Sequence, residues 1–185
     1  QFSVGNREAL LQKLQDNAID LAVMGRTPVE IDAHAEPMAS HPYVLIGPAD
    51  HPLRDARRFD LQELRHETFL LREEGSGSRR VAETMFRNHL FTPARTISMG
   101  SNETIKQAVM AGIGISLLSL HTMPLELKMG AISILDAVGT PIEQTWYVVH
   151  MNSKRLLPAG QQFRSFLLEQ TAAGLDREFG IYLQL

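Results

Sequence analysis

Short apolar runs and amphipathic stretches alternate along this chain of 185 residues. Nearly continuous apolar runs are typical of buried strands in parallel sheets, and they occur at 19–24, 43–47, 68–71, 115–120 and 131–135. Two further strands are predicted at 96–99 and at 144–149, the latter from its β-branched and aromatic content. Apolar residues at helical spacing predict amphipathic helices at 7–17, 81–90, 102–111 and 158–168. A strand-like segment at 2–4 precedes the first helix. The alternation predicts an α/β fold built from parallel crossovers.

The stretch Arg72–Arg80 joins one predicted strand to the helix that follows it. Its centre, Gly75-Ser76-Gly77-Ser78, predicts a tight turn, because glycine permits positive φ and serine favours helix N-caps. A strand, a Gly/Ser turn and a helix N-terminus at Ser78 direct backbone N–H groups and hydroxyls toward one point, where an anion can bind. Arg79 and Arg80 add positive charge beside that point. The alternative interpretation is a serine-capped helix start without a ligand.

Two further turns repeat this arrangement. Asn6 is the predicted cap of the first helix. Gly100-Ser101-Asn102-Glu103 supplies a glycine turn, the small polar caps Ser101 and Asn102 and a first-turn acid to the helix predicted at 102–111. Arg26 follows the strand at 19–24. Because ligands gather at the carboxyl ends of parallel strands, these residues form a candidate site for a small anionic metabolite. Arg26 either binds that anion or pairs with a nearby acid such as Glu103.

Composition and motifs argue against several other functions. The chain is 44% hydrophobic and 21% charged, and its formal net charge of −3 argues against nucleic-acid binding by this chain alone. No apolar run approaches the ~20 residues of a membrane helix. Absence of cysteine excludes disulfides and thiolate chemistry. The histidines are scattered without metal-ligand spacing, and neither a hydrolase elbow nor a complete dinucleotide fingerprint occurs. We therefore predict no catalytic residues, no metal and no cofactor.

Several of these segments resemble the effector-binding domain of LysR-type transcriptional regulators. The similarity runs through residues 5–8, 19–26 and the turn at 51–53. It is most specific in four segments that resemble the CbbR branch, which regulates Calvin-cycle carbon-fixation operons: 72–79, 101–109, 119–122 and 146–150. The resemblance covers roughly residues 2–171.

This resemblance implies an α/β fold of two βαβ lobes with a cleft between them, like that of type 2 periplasmic binding proteins. Lobe I would comprise residues 1–49 and 143–172 and be truncated at its N-terminus, and lobe II would comprise 50–142. Residues 173–185 would form a tail, either a linker remnant or a native extension. Carried over by position, the effector contacts would be Asn6, Arg26, Gly75, Ser76, Gly77, Ser78, Arg79, Ser101, Asn102 and Glu103.

The resemblance also implies partners. The effector would be a small anionic metabolite: a phosphorylated sugar or acid, or a reduced nicotinamide dinucleotide. The full-length regulator would be a cytoplasmic dimer or tetramer without membrane contact, and it would bind DNA only through an N-terminal domain upstream of Gln1. Two alternatives share the fold: a solute-binding protein that serves a transporter, and an enzyme, for which no acid–base residues are evident.

Overall fold

The computed structural model describes residues 2–183. The chain divides into two compact units, the first formed by residues 1–41 and 144–180 and the second by residues 42–143 and 181–185. The helices are α1 (Arg7–Gln15), α2 (Gly77–Asn88), α3 (Asn102–Met110), α4 (Pro124–Lys128) and α5 (Pro158–Phe179). The strands are β1 (Ala22–Met24), β2 (Ala33–Pro48), β3 (Thr68–Arg72), β4 (Arg95–Met99), β5 (Ser116–Ser119), β6 (Ile132–Leu135) and β7 (Ile142–Met151). Short 3-10 helices lie at Leu61–Leu64, Leu120–Thr122 and Gly180–Leu183.

The first unit is built on an antiparallel pair of strands. β1 pairs with β7, so that Ala22 lies opposite Val149, and β7 lies between β1 and β2 in the sheet. The parallel crossover predicted from residues 2–4 is wrong: these residues form no strand, and Phe2 and Val4 are almost fully exposed. The run is only three residues long, and within residues 2–183 no strand pairs with it to bury its apolar side chains.

The second unit contains the predicted strand–helix–strand crossovers. β3 and β4 are parallel neighbours, with Arg72 opposite Met99 at their carboxyl ends. The chain leading into β5 runs parallel to β3, and the N–H of Leu70 donates to the carbonyl of Ile115 at 2.8 Å. A Cβ at Gly114 would lie 2.2 Å from the carbonyl oxygen of Thr68, so only glycine permits this approach.

The structure differs from the sequence-based expectation in the length of two elements. β2 begins at Ala33, well before the apolar run that starts at Tyr43. The sequence did not predict its first half, because half-buried and exposed residues roughly alternate there and several side chains are polar. Its last residues pair antiparallel with β5 and β6. α5 continues through Gly174 to Phe179, so the predicted tail from residue 173 begins inside a helix.

Candidate functional site

The turn after β3 caps helix α2 through Ser76. The Ser76 hydroxyl accepts a hydrogen bond from the N–H of Arg79 at 3.2 Å, and the helix begins at Gly77. Gly75 adopts a φ of +83°, a conformation that favours glycine. The first N–H groups of a helix have no acceptor within it, so α2 presents donors and the positive end of its dipole at this turn.

The turn after β4 caps helix α3 in the same way. The Ser101 hydroxyl accepts from the N–H of Thr104 at 3.1 Å and lies 2.8 Å from the Thr104 hydroxyl. A single hydrogen lies between two paired hydroxyl oxygens, so the hydrogen of the other hydroxyl remains available to a ligand. Since β3 and β4 are parallel neighbours, α2 and α3 begin at the same edge of the sheet.

Arg72 joins the two helix starts. It is the last residue of β3, and its guanidinium donates to the side-chain oxygen of Asn102 at 2.6 Å, directly at the start of α3. The same guanidinium binds the Glu73 carboxylate with bonds of 2.7 and 2.8 Å, which lower the pKa of Glu73. Arg72 thereby fixes the position of the Asn102 side chain while its own charge is matched by Glu73.

The predicted contacts of the Gly/Ser turn do not all face the same way. Gly75, Ser76 and Arg79 line a pocket of about 310 Å³, together with Glu74, Arg80 and Glu83. Ser78 instead forms a hydrogen bond with the buried Tyr43. Burial raises the pKa of Tyr43, and the bond with Ser78 opposes part of that rise. The Ser78 side chain therefore already has a hydrogen-bond partner within the fold.

Side-chain charges around these turns largely cancel. Arg79 donates to Glu83 at 2.8 Å and to the carbonyl of Arg72 at 3.3 Å. Glu103 pairs with Lys106 at 2.8 Å and accepts from Gln107 at 3.1 Å, and these bonds, chiefly the one from Lys106, lower the pKa of Glu103. The carboxylate of Glu103 therefore stays ionised and would repel an anion, whereas its backbone N–H at the start of α3 would attract one.

Asn6 and Arg26, the remaining predicted contacts, lie in the first unit. Asn6 caps α1, and its side chain accepts from the N–H of Ala9 at 2.9 Å. Arg26 pairs with Glu30 at 3.3 Å, with its side chain 48% exposed. Arg7 binds the same Glu30 at 2.8 Å and donates to the carbonyl of Arg26 at 3.1 Å, which brings the α1 start and the Arg26 turn together. The bond from Arg7 is the main reason that the pKa of Glu30 falls to about 2.

Two features were not identified from the sequence. The first is that Arg72 and Tyr43 contact predicted site residues. Arg72 lies at the carboxyl end of a predicted strand, and this position could have identified it from the sequence. His34, Glu36 and His150 form a group whose ligand atoms lie within 4.8 Å of one another. Spacing along the chain cannot reveal that group, because His150 comes from a different strand.

Parallel crossovers with helix N-termini at one sheet edge in the second unit, together with an antiparallel first unit, define a small-molecule-binding α/β domain of the type 2 periplasmic-binding-protein-like class. The LysR substrate binding domain model matches residues 1–172, and the chain belongs to this family. None of the helices within residues 2–183 combines the length and apolar character that a membrane span requires.

Comparison with individual relatives identifies the branch of the family that this chain resembles. The HTH-type transcriptional regulator CfxR of Cupriavidus necator is 68% identical over 180 residues, which are 97% of this chain and 57% of that protein. The RuBisCO operon transcriptional regulator of Allochromatium vinosum is 42% identical over 172 residues, 93% of this chain and 57% of the relative. Regulators named CbbR also match, so the prediction of family and branch is confirmed. The chain spans little more than half the length of these relatives, which are transcriptional regulators and not enzymes.

One solved structure is similar in both fold and sequence. The CcmR regulatory domain from Synechocystis, in complex with 2-PG (2-phosphoglycolate), is 35% identical with a TM-score of 0.86. The match covers 93% of this chain and 84% of that chain. That domain therefore holds a small phosphorylated acid on a fold that this chain shares.

Proposed function

We propose that this chain is the effector-sensing domain of a bacterial LysR-type regulator of carbon-fixation genes and that it binds a small phosphorylated anion. The observation that carries this proposal is the pair of serine-capped helix starts, α2 and α3, held at one sheet edge and joined by Arg72 and Asn102. Its relatives are transcriptional regulators, one of them of the RuBisCO operon, which favours sensing over catalysis.

The donors at this edge suit a phosphate better than they suit a carboxylate alone. Each helix N-terminus carries roughly half a positive charge on unbonded N–H groups. Arg72 and Arg79 already bind carboxylates, so the backbone N–H groups of Gly77, Ser78, Asn102 and Glu103 provide much of the attraction. The hydroxyl pair of Ser101 and Thr104 supplies one further donor. Tetrahedral phosphate oxygens can accept from several of these donors at once.

The remaining predicted contacts are part of the same proposal. Gly75, Ser76 and Arg79 would act mainly by shaping and holding the first turn of α2, since the Ser76 hydroxyl and the Arg79 guanidinium are already bonded within it. Asn6 and Arg26 stay predicted contacts of the same effector in the first unit. In the full-length regulator, which we propose to be a cytoplasmic dimer or tetramer, DNA would be bound by an N-terminal domain and not by this chain.

Calorimetric titration with 2-phosphoglycolate and with glycolate tests this proposal. Glycolate lacks the phosphate, so it should bind at least tenfold more weakly, because each hydrogen bond to a charged group contributes roughly 1.5–3 kcal/mol. Equal binding of the two acids, or binding of neither, would overturn the proposal.

A charge-matched pair of variants locates the phosphate. Ser101→Asp keeps an N-cap acceptor, since aspartate caps helices as well as serine does, but it places a negative charge at the start of α3. We expect affinity for 2-phosphoglycolate to fall at least about tenfold. Leu157→Asp adds the same charge at the start of α5, where Leu157 is 74% exposed, and should leave affinity unchanged. Equal effects of both variants would show that only net charge matters.

A further inference from the structure

A second polar cluster lies in the first unit. His34 and Glu36 are two residues apart on β2, and His150 lies on β7, the strand beside β2. Residues two apart on a strand project from the same face, so His34 and Glu36 point to the same side of the sheet. The His34 and His150 ring centroids are 5.4 Å apart, and His34 Nε2 lies 3.7 Å from Glu36 Oε2.

Two of the three side chains are already oriented as metal ligands usually are. The Nδ1 atom of His150 lies 3.1 Å from the backbone carbonyl of Met151. A carbonyl can only accept, so Nδ1 carries the hydrogen and the neutral ring leaves the Nε2 lone pair for a metal. The carboxylate of Glu36 is bound by Arg164 through both Nε and Nη2. Such outer partners fix ligand orientation in metal sites.

We propose that His34, Glu36 and His150 bind one divalent transition-metal ion, with Zn²⁺ as the expected occupant. Two imidazole nitrogens and one carboxylate oxygen match the ligand set that zinc accepts, with a fourth position open to water. Ligand atoms around tetrahedral zinc are roughly 3.3 Å apart, given Zn–N and Zn–O bonds near 2 Å. The present separations, at most 4.8 Å, close to that value by rotation of the half-exposed His34 ring.

The charge on Arg164 also shapes the site. Its guanidinium offsets the charge of Glu36, so the cluster has little net attraction for ions that rely on charge alone. Hard cations such as Mg²⁺ prefer oxygen ligands and should not compete with zinc for two imidazoles. The cluster should therefore discriminate by ligand type, with the metal held mainly through nitrogen.

Titration of the full chain, freed of metal by a chelator, with Zn²⁺ and separately with Mg²⁺ tests the site. We expect one Zn²⁺ per chain and no comparable Mg²⁺ binding. His34→Ala and His150→Ala should each weaken Zn²⁺ binding at least 30-fold. His66→Ala removes an exposed histidine of the second unit and should change nothing.

Two further measurements guard against loss of fold. Glu36→Gln retains the shape of the side chain and an acceptor for Arg164, so it should weaken Zn²⁺ binding while far-UV circular dichroism stays that of the wild type. Co²⁺ should give a visible absorption band that disappears in the His34 and His150 variants. Absence of stoichiometric Zn²⁺ binding by the wild type, or equal binding by folded His34 and His150 variants, would overturn the proposal.

Discussion

Three phenylalanine rings pack against one another in the core of the second unit, whereas the buried cluster around Leu14 in the first unit is mainly aliphatic. Phe69 is fully buried, with its ring centroid 5.0 Å from that of Phe86 and 5.4 Å from that of Phe91. One cluster of buried residues in the first unit consists of Leu14, Ala22, Met24 and Val149, with half-buried residues such as Tyr147 packed around it. The second unit therefore has the larger aromatic core behind the strands that carry its helix starts.

Two arginines, one from each unit, differ in how firmly their side chains are held. Arg72 in the second unit is 18% exposed on its side chain and makes three bonds of 2.8 Å or less, to Glu73 and Asn102. Arg26 in the first unit is 48% exposed and pairs with Glu30 at 3.3 Å. The comparison of Arg72 with Arg26 teaches that a partly buried, multiply bonded arginine can be in position before a ligand arrives, while an exposed charge must be ordered on binding.

The largest expected effect comes from the aromatic core. Phe69→Ala should lower the free energy of unfolding by about 3–5 kcal/mol, because it leaves a cavity among packed rings. Leu14→Ala, in the smaller core, should cost about 2–3 kcal/mol. Urea unfolding followed by far-UV circular dichroism measures both. Phe166→Ala is the control, since Phe166 is 57% exposed and its loss should cost well under 1 kcal/mol. A larger loss in Leu14→Ala than in Phe69→Ala would contradict the comparison.

The second-largest effect should be a loss of affinity for the effector when Arg26 or Arg72 is replaced. Arg26→Ala should weaken binding of the anionic effector by on the order of 10- to 150-fold if Arg26 makes a charge-assisted contact. Arg72→Met should act through Asn102, whose side chain loses a bond of 2.6 Å, and should weaken binding by about tenfold. Calorimetric titration with 2-phosphoglycolate measures both. Wild-type affinity in Arg26→Ala would show that Arg26 only pairs with Glu30.

A third prediction concerns pH and His51 in the second unit. Burial lowers the pKa of His51, while Glu67 nearby, with the Nε2 of His51 3.7 Å from its carboxylate, acts in the opposite direction. The unfolded chain therefore takes up a proton at higher pH than the folded chain does. Stability should fall as pH drops below about 6.5, with a slope of at most about 1.4 kcal/mol per pH unit.

His51→Asn isolates that contribution. Asparagine keeps an acceptor for the N–H of Leu53, which donates to the His51 Nδ1 at 3.1 Å. Urea midpoints measured between pH 7.5 and 5.5 should fall less steeply in this variant than in the wild type. His66→Asn, at an exposed histidine, should retain the wild-type slope. Parallel slopes in the wild type and His51→Asn would show that His51 does not drive the pH dependence.

The smallest effect should come from Glu103. Its carboxylate stays ionised because Lys106 lowers its pKa, and it lies in the first turn of the helix whose N–H groups are proposed to bind the anion. Glu103→Gln removes that negative charge and should strengthen binding of 2-phosphoglycolate by about two- to fivefold, as expected for one exposed charge. Weaker binding in this variant would mean that the carboxylate itself contacts the effector.

Local patterns were sufficient for much of the second unit. Neighbouring residues alone specify β3, β4 and β5 and the glycine-serine turns that follow β3 and β4. The predicted caps Asn6 and Ser101 are observed. The start of α2 was placed near Ser78, but the cap is Ser76, because either serine of the turn could supply the hydroxyl.

Contacts distant in sequence could not be predicted in this way. Ala22 pairs with Val149, and no local pattern encodes an antiparallel partner so far along the chain. The same holds for the partners of charged side chains. Arg7 binds Glu30, and Arg164 binds Glu36, although many acids were available to each. Sequence patterns therefore locate the residue types of a site but not which of their charges are already matched.

The most direct test of the central claim is an amide chemical-shift titration of the 15N-labelled chain with 2-phosphoglycolate. The claim is that backbone N–H groups at the starts of α2 and α3 bind the phosphate. We predict that the largest shifts in the second unit occur at Gly77, Ser78, Asn102 and Glu103 and that glycolate reproduces few of them. Saturating shifts confined to other parts of that unit, with these four amides unmoved, would contradict the account.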